Sequence, residues 1–169
     1  MKREDSGYGN AGGTMLYAIW TLALVALDRL TKIWAGQRLL GRHGGLMEAL
    51  PGVFRFHYAE NTGVAFSMLA DGRWLIIALN FVMIAAVIAY LAVKKPKSRL
   101  IRLGLLMVAA GGAGNLIDRI ALGYVIDFIE LTFMRFAVFN VADICVSLGA
   151  ALAAIGLIMK GEDAGGVDA

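Results

Sequence analysis

Leu100-Ile-Arg-Leu-Gly-Leu-Leu-Met-Val-Ala-Ala-Gly-Gly-Ala-Gly-Asn-Leu-Ile-Asp-Arg-Ile-Ala-Leu122 is apolar for most of its length, yet it closes on an asparagine, an aspartate and an arginine. A transmembrane helix needs roughly 20 mostly apolar residues to cross about 30 Å of hydrocarbon. This run is long enough, and three others match it: Met15 to Ala35, Trp74 to Val93 and Val138 to Met159. The first and third are interrupted by charges near their C-terminal ends. Composition agrees, with 59% of the 169 residues hydrophobic and only 17% charged, at a mean hydropathy of +0.70. The chain reads as a membrane protein with four transmembrane helices. No linker, repeat or low-complexity block divides it, so residues 1–169 are expected to form one domain, with 1–13 a polar extension and 161–169 a tail.

Charge in the flanks predicts orientation. Lys2 and Arg3 precede the first helix, Lys94, Lys95, Lys97, Arg99 and Arg102 crowd the turn between the second and third, and Lys160 follows the fourth. By the positive-inside rule both termini are expected in the cytoplasm. The loops 36–73 and 123–137 then lie outside; their arginines, Arg38, Arg42, Arg55, Arg73 and Arg135, are sparser. A cleaved signal peptide fits the N-terminus poorly, because the apolar run ends in Asp28-Arg29-Leu30-Thr31-Lys32 without a small-residue cleavage site. The modest net charge of +3 and its location beside apolar segments suit a membrane surface and not nucleic acid.

Two acids stand out against this background. Asp127 lies in Val125-Ile-Asp-Phe-Ile129, and Asp143 in Phe139-Asn-Val-Ala-Asp-Ile144. Carboxylates in apolar, membrane-level sequence are costly and mark functional sites. The expected topology puts Asp127 just beyond the third helix and Asp143 about 7 Å below the start of the fourth. Both then fall at the outer face, where they can meet. Two carboxyls in a low-dielectric site share a proton, so one can take a proton from water while the other donates to a carbonyl oxygen.

Other motifs divide between support and contact. Asp28 and Lys32 are an i,i+4 pair, with Lys32 expected to snorkel to the interface. Asp118 and Arg119, adjacent on a helix, need separate partners; support is expected of Asp118, and contact with substrate or the acids of Arg119. Gly111, Gly112 and Gly114 read as small residues permitting close helix approach. The alternation in Gly52-Val-Phe-Arg-Phe-His-Tyr-Ala59 predicts a strand or small sheet on the membrane surface. It leads into Glu60-Asn61-Thr-Gly63, where Asn61 is either a turn-former or a donor to an extended substrate. His-Glu-x-x-His is absent, and His43 and His57 lack the spacing of a zinc pair. Gly-x-Ser-x-Gly is absent from the spans, and Cys145, the single cysteine, reads as a small core residue. A proton-coupled transporter with the acids as a relay is the competing class. It predicts acids spread through the membrane depth and internal repeats, neither of which is seen.

In order along the chain, Asp28-Arg-Leu-Thr-Lys32, Asn61-Thr-Gly-Val-Ala-Phe66, Gly111-Gly-Ala-Gly-Asn-Leu-Ile-Asp-Arg119, Val125-Ile-Asp-Phe128 and Phe139-Asn-Val-Ala-Asp143 closely resemble the bacterial lipoprotein signal peptidases, the signal peptidase II family. The resemblance implies four transmembrane helices with a periplasmic β-cradle from the first outer loop. It implies an aspartyl endopeptidase of the bacterial inner membrane that acts without metal or cofactor, expected as a monomer. Its substrates would be prolipoproteins cut just before a diacylglyceryl-modified cysteine. The family's catalytic aspartates fall on Asp127 and Asp143. Its other site residues fall on Asn61, Gly63, Asn115, Arg119 and Asn140, and its first-helix pair on Asp28 and Lys32.

Overall fold

The computed structural model describes residues 8–63 and 72–165. Its elements run α1 (Tyr8–Leu39), a 3-10 turn (His43–Gly45), β1 (Leu46–Leu50), β2 (Phe54–Asn61), α2 (Arg73–Lys94), α3 (Arg99–Ala121), β3 (Val125–Leu131) and α4 (Val141–Gly165). All four helices contain stretches long and apolar enough to cross a membrane. α1 begins at Tyr8, ahead of the expected Met15, so only residues 1–7 of the polar extension, and residues 166–169 of the tail, lie outside the described residues.

α3 is the axis of the bundle, and its glycines explain why. A Cβ on Gly104 would fall 2.6 Å from the backbone nitrogen of Ala153, and one on Gly149 would fall 2.7 Å from the Met107 side chain, so α3 and α4 touch backbone to backbone. Gly111 faces the Ala142 carbonyl of α4, Gly112 faces Asn80 and Met83 of α2, and Gly114 faces the Asp28 carboxylate of α1. One short glycine run thus admits three neighbours, as small residues do in membrane bundles where the hydrophobic effect supplies little between helices. Leu16, Leu22, Leu79, Phe81 and Ile158 stay exposed on the outer faces, the pattern of side chains meeting lipid instead of water.

The helix ends follow local chemistry. α2 stops at Lys95, in the left-handed region at φ 42° with its N–H on the Leu91 carbonyl, and Pro96 follows. The Ser98 hydroxyl caps α3 by accepting the Ile101 N–H. Gly123, at φ +92°, turns the chain out of α3 into β3.

Connectivity brings the C-terminal ends of α1 and α3 and the N-terminal ends of α2 and α4 to one end of the bundle, where the sheet sits. The sheet is antiparallel in the order β1-β2-β3. β2 forms from the alternating stretch read as strand; β1, Leu46–Leu50, lies ahead of that stretch, and β3, carrying Asp127, comes from the loop between α3 and α4. The sheet is seated on the end of α1 by an apolar cluster in which Trp34 meets Phe56 edge-on, with ring centroids 4.9 Å apart, around buried Ala35, Leu39 and Phe128. Between Phe56 and Ala59 β2 carries one more residue than its partner, a bulge immediately beside Asp127.

Candidate active site

α4 opens later than sequence periodicity suggests, at Val141 instead of Val138, which puts Asp143 in its first turn and not 7 Å down. The cause is a capping box. The Asn140 side-chain oxygen accepts the Asp143 N–H at 2.9 Å, and the Asp143 carboxylate accepts the Asn140 N–H at 3.1 Å. A second orphan donor of the helix start, the Ala142 N–H, is taken at 3.0 Å by Asp28 of α1. The cap spends the Asn140 oxygen on backbone, so its amide NH2 is left to donate, and it reaches Asp127 at 2.7 Å and the Asn115 oxygen at 3.1 Å. One side chain therefore holds both acids.

Asn115 is oriented by the same logic. Its oxygen accepts from Asn140 and, at 2.8 Å, from the Lys32 ammonium, so its NH2 turns to Asp143 at 2.8 Å. Asp127 receives a second amide at 3.0 Å from Asn61, whose own oxygen accepts the Gly63 N–H. Asn61 thus forms a tight turn and holds an acid at once. The remainder of that motif, residues 64–66, lies outside the described residues.

Beneath the pair lies an ionic cluster whose Asp28, Lys32 and Asp118 are fully buried and whose Arg29 is partly exposed. Lys32 pairs with Asp28 at 3.0 Å and with Asp118 at 2.9 Å, and Arg29 binds the other oxygen of Asp118. The expected snorkelling of Lys32 does not occur, because its side chain is 0% exposed. Charge attraction and the Asn115 oxygen hold the ammonium inside, where its neighbours replace the water it gives up. Asp118 also accepts the Ile126 N–H at 3.3 Å. The cluster therefore grips the backbone next to each of the two acids: Asp28 holds Ala142 beside Asp143, Asp118 holds Ile126 beside Asp127, and Lys32 ties the two grips together.

Arg119 donates at 2.9 Å to the Gly63 carbonyl and at 3.4 Å to the Asn115 carbonyl, so it clamps the turn after β2. Of the contacts expected of Arg119, with substrate or with the acids, the described residues show this backbone clamp instead of a hydrogen bond to either acid, and Arg119 lines the adjoining cavity. Burial, and then the charge of Asp143, raise the Asp127 carboxyl to about 7, against the opposing hydrogen bonds of Asn61 and Asn140. Counting the neighbourhood, four acids (Asp28, Asp118, Asp127, Asp143) face three bases (Arg29, Lys32, Arg119), so the assembly is neutral when the pair holds one proton. Among the described residues no group of three or more His, Cys, Asp or Glu is placed to hold a metal.

Asp127 and Asp143 stand in the wall of a cavity of about 570 Å³ between α2, α3 and α4, within the size range of small-ligand sites. Asn61, Asn115 and Arg119 line it with them, and Phe136, Val138, Val146 and Leu148 supply apolar surface.

A family model described as signal peptidase (SPase) II matches residues 20–159. The chain belongs to the signal peptidase II family. Lipoprotein signal peptidases of Streptococcus pyogenes serotypes M2 and M6 are 40% and 39% identical to it over 150 residues, which cover 89% of this chain and 97% of each relative. Among solved structures, a bacterial membrane enzyme determined by the in meso method at 2.3 Å resolution superposes with a TM-score of 0.80 over 94% of both chains at 22% identity. A second, at 1.9 Å resolution, gives 0.74 at 24% identity over 86% of this chain and 92% of that one. These likenesses establish the family fold, four spanning helices with a small sheet, in this member.

Three side chains of this signal peptidase II homologue were not singled out from its sequence. Arg29 pairs with Asp118. Arg73 donates to the Arg119 carbonyl at 2.9 Å and the Ile120 carbonyl at 3.2 Å, pinning the start of α2 to the end of α3. Asn80 binds the Gly112 carbonyl at 3.1 Å. Asn80 carried a readable signal, being an amide inside an apolar span; Arg29 and Arg73 carried none that separates them from ordinary flanking charges.

Proposed function

We propose that this member of the signal peptidase II family is an aspartyl endopeptidase that removes signal peptides from diacylglyceryl-modified prolipoproteins, cutting before the lipidated cysteine. The observation that carries the mechanism is the shared Asn140, which binds Asp127 through its side-chain NH2 and Asp143 through its cap, at the edge of a cavity lined by both acids. The lipoprotein substrate class is carried over from the named relatives.

In this reading the pair works with a single proton, as the neutral count of four acids and three bases favours. Asp127, raised to about 7, carries it. Asp143 is the base, in the first turn of α4 where the positive end of the helix dipole faces it. Asp143 takes a proton from water as the water oxygen bonds to the scissile carbonyl carbon, and Asp127 gives its proton to the carbonyl oxygen. The resulting gem-diol collapses when Asp143 returns its proton to the leaving nitrogen and the C–N bond breaks, while Asp127 recovers a proton from one hydroxyl. The pair ends as it began. Asn61, Asn115 and Asn140 hold the acids in register, and Arg119 with Gly63 forms the rim against which substrate backbone lies.

The basic flanks support an orientation with both termini in the cytoplasm and the sheet outside, in a bacterial inner membrane. The test is cleavage of a diacylglyceryl-modified prolipoprotein by purified wild type, Asp127→Asn and Asp143→Asn, with melting temperature measured in the same detergent. Cutting before the lipidated cysteine by wild type alone is expected. Normal cutting by both folded variants would overturn the dyad.

A further inference from the structure

α2 is apolar from Trp74 through Ala89 except at Asn80, and an amide at that depth is expensive unless it is used. Its NH2 donates to the Gly112 carbonyl, which fixes the orientation of the amide, since the reverse would press two oxygens together. The other end of the group, the Asn80 side-chain oxygen, is buried and has no hydrogen-bond partner among the described residues. An acceptor left unpaired in a dry setting costs about 1–3 kcal/mol.

The position of this oxygen suggests what it awaits. Asn80 and Met83 line the same cavity as the two acids. A point 2.7 Å from the Met83 methyl and 3.0 Å from the Asn80 oxygen, the site of a Cβ on Gly112, shows the two to be neighbours. The Met83 methyl therefore lies beside the acceptor, and methionine is the apolar side chain best able to swing aside. Along α3, Gly112 is one turn from Asn115, which holds Asp143, so Asn80 lies about 4.5 Å deeper than the acids. That distance corresponds to one or two residues of extended chain. At this level the wall is otherwise Met83, Val146 and Leu148, with the Ser147 hydroxyl.

A peptide bond must leave the helix to be hydrolysed, and each backbone N–H unwound inside a membrane needs an acceptor. We infer that Asn80 is a substrate-binding residue whose side-chain oxygen accepts a backbone N–H from the unwound end of the signal segment, within three residues before the scissile bond. This rests on the proposed peptidase activity and adds a subsite on α2 to it. The site selects a substrate able to unwind there, because a segment that stays helical keeps its N–H and leaves the Asn80 oxygen unpaired.

The experiment is a cycle between enzyme and substrate. Prolipoprotein substrates are made with the backbone amide of each of the three residues before the scissile bond replaced in turn by an ester, which deletes the N–H. Each is cleaved by wild type and by Asn80→Leu and Asn80→Ser, with melting temperatures recorded alongside. One ester is expected to lower wild-type kcat/KM about tenfold, and to have little further effect in either folded variant. If no ester affects wild type, or the same loss persists in a folded variant, Asn80 only ties α2 to α3 and the inference falls while the peptidase stands. If wild type cuts none of the substrates, including the all-amide parent, the activity itself is overturned and this subsite with it.

Discussion

Asp28 and Asp118 are as deeply buried as Asp127, yet they have the opposite chemistry. Each is neutralised by cations, with Lys32 between them and Arg29 on Asp118, and each spends an oxygen on a backbone N–H. Among the described residues Asp127 and Asp143 have no such cation paired with them; their partners are the amides of Asn61, Asn115 and Asn140 and the Asn140 N–H. Amides position a carboxyl by hydrogen bonds alone, whereas an ammonium sets a full opposite charge against it. The lesson is that Asp127, buried as deeply as the acids that build, is set apart from them by the kind of neighbour it has.

The sharpest break in that contrast is removal of the reacting charges. Asp127→Asn and Asp143→Asn are each expected to lower kcat at least about 100-fold. Their melting temperatures should fall by a few degrees at most, because an amide still receives one of the two existing donors while its NH2 faces the other; single-turnover cleavage with parallel melting curves checks both. The building acids should behave the other way. Lys32→Met leaves two buried carboxylates without their shared cation, and a loss of about 3–5 kcal/mol in denaturant unfolding is expected. A folded Lys32→Met with wild-type stability would show the cluster to be dispensable.

Proton occupancy offers a finer test. With Asp127 as the acid and its carboxyl raised to about 7, kcat/KM should fall tenfold per pH unit above that value. The same shift has a consequence for stability. The folded value lies above the ordinary carboxylate value of about 3.9, so between the two the native state binds more protons. The Asp127 contribution to stability is therefore full in acid and is lost as pH rises through about 7. Asp28→Asn removes one negative charge from the neutral assembly and should move the alkaline limb of the pH–rate profile downward; an unmoved limb would separate the two clusters electrostatically.

The smallest effect is expected at the sheet. Glu130 binds Arg55 at 2.8 and 3.0 Å and His57 at 2.8 Å, contacts that hold its carboxyl below the usual range. This triad is far more exposed than the buried cluster, and Glu130→Gln should change turnover less than about twofold. A larger loss would mean that the sheet's charges take part in substrate binding.

Much of the fold could be read from the chain because it is written in local terms. Four apolar runs of membrane length, the alternation from Gly52 to Ala59 and the glycines near Gly111 each follow from hydropathy or side-chain size along neighbouring residues. Asp127 and Asp143 were legible for the same reason, as acids where apolar sequence makes acids costly. What local sequence could not convey was direction. Lys32 looked fit to snorkel, and only the convergence of Asp28, Asp118 and Asn115 from two helices turns it inward. Asn140 and Asp143 spell a helix start, but the apolar residues before them hid it until the capping box formed.

The sequence by itself determined that this is a four-span membrane chain carrying two costly acids and the ordered motifs of its family, since span length and apolar content are properties of contiguous residues. Only the tertiary structure decided that β3 completes the sheet, that one asparagine grips both acids, and that Asp28 and Asp118 hold the backbone beside them. Those are pairings between residues up to 114 positions apart, and such contacts come into existence only when the helices pack.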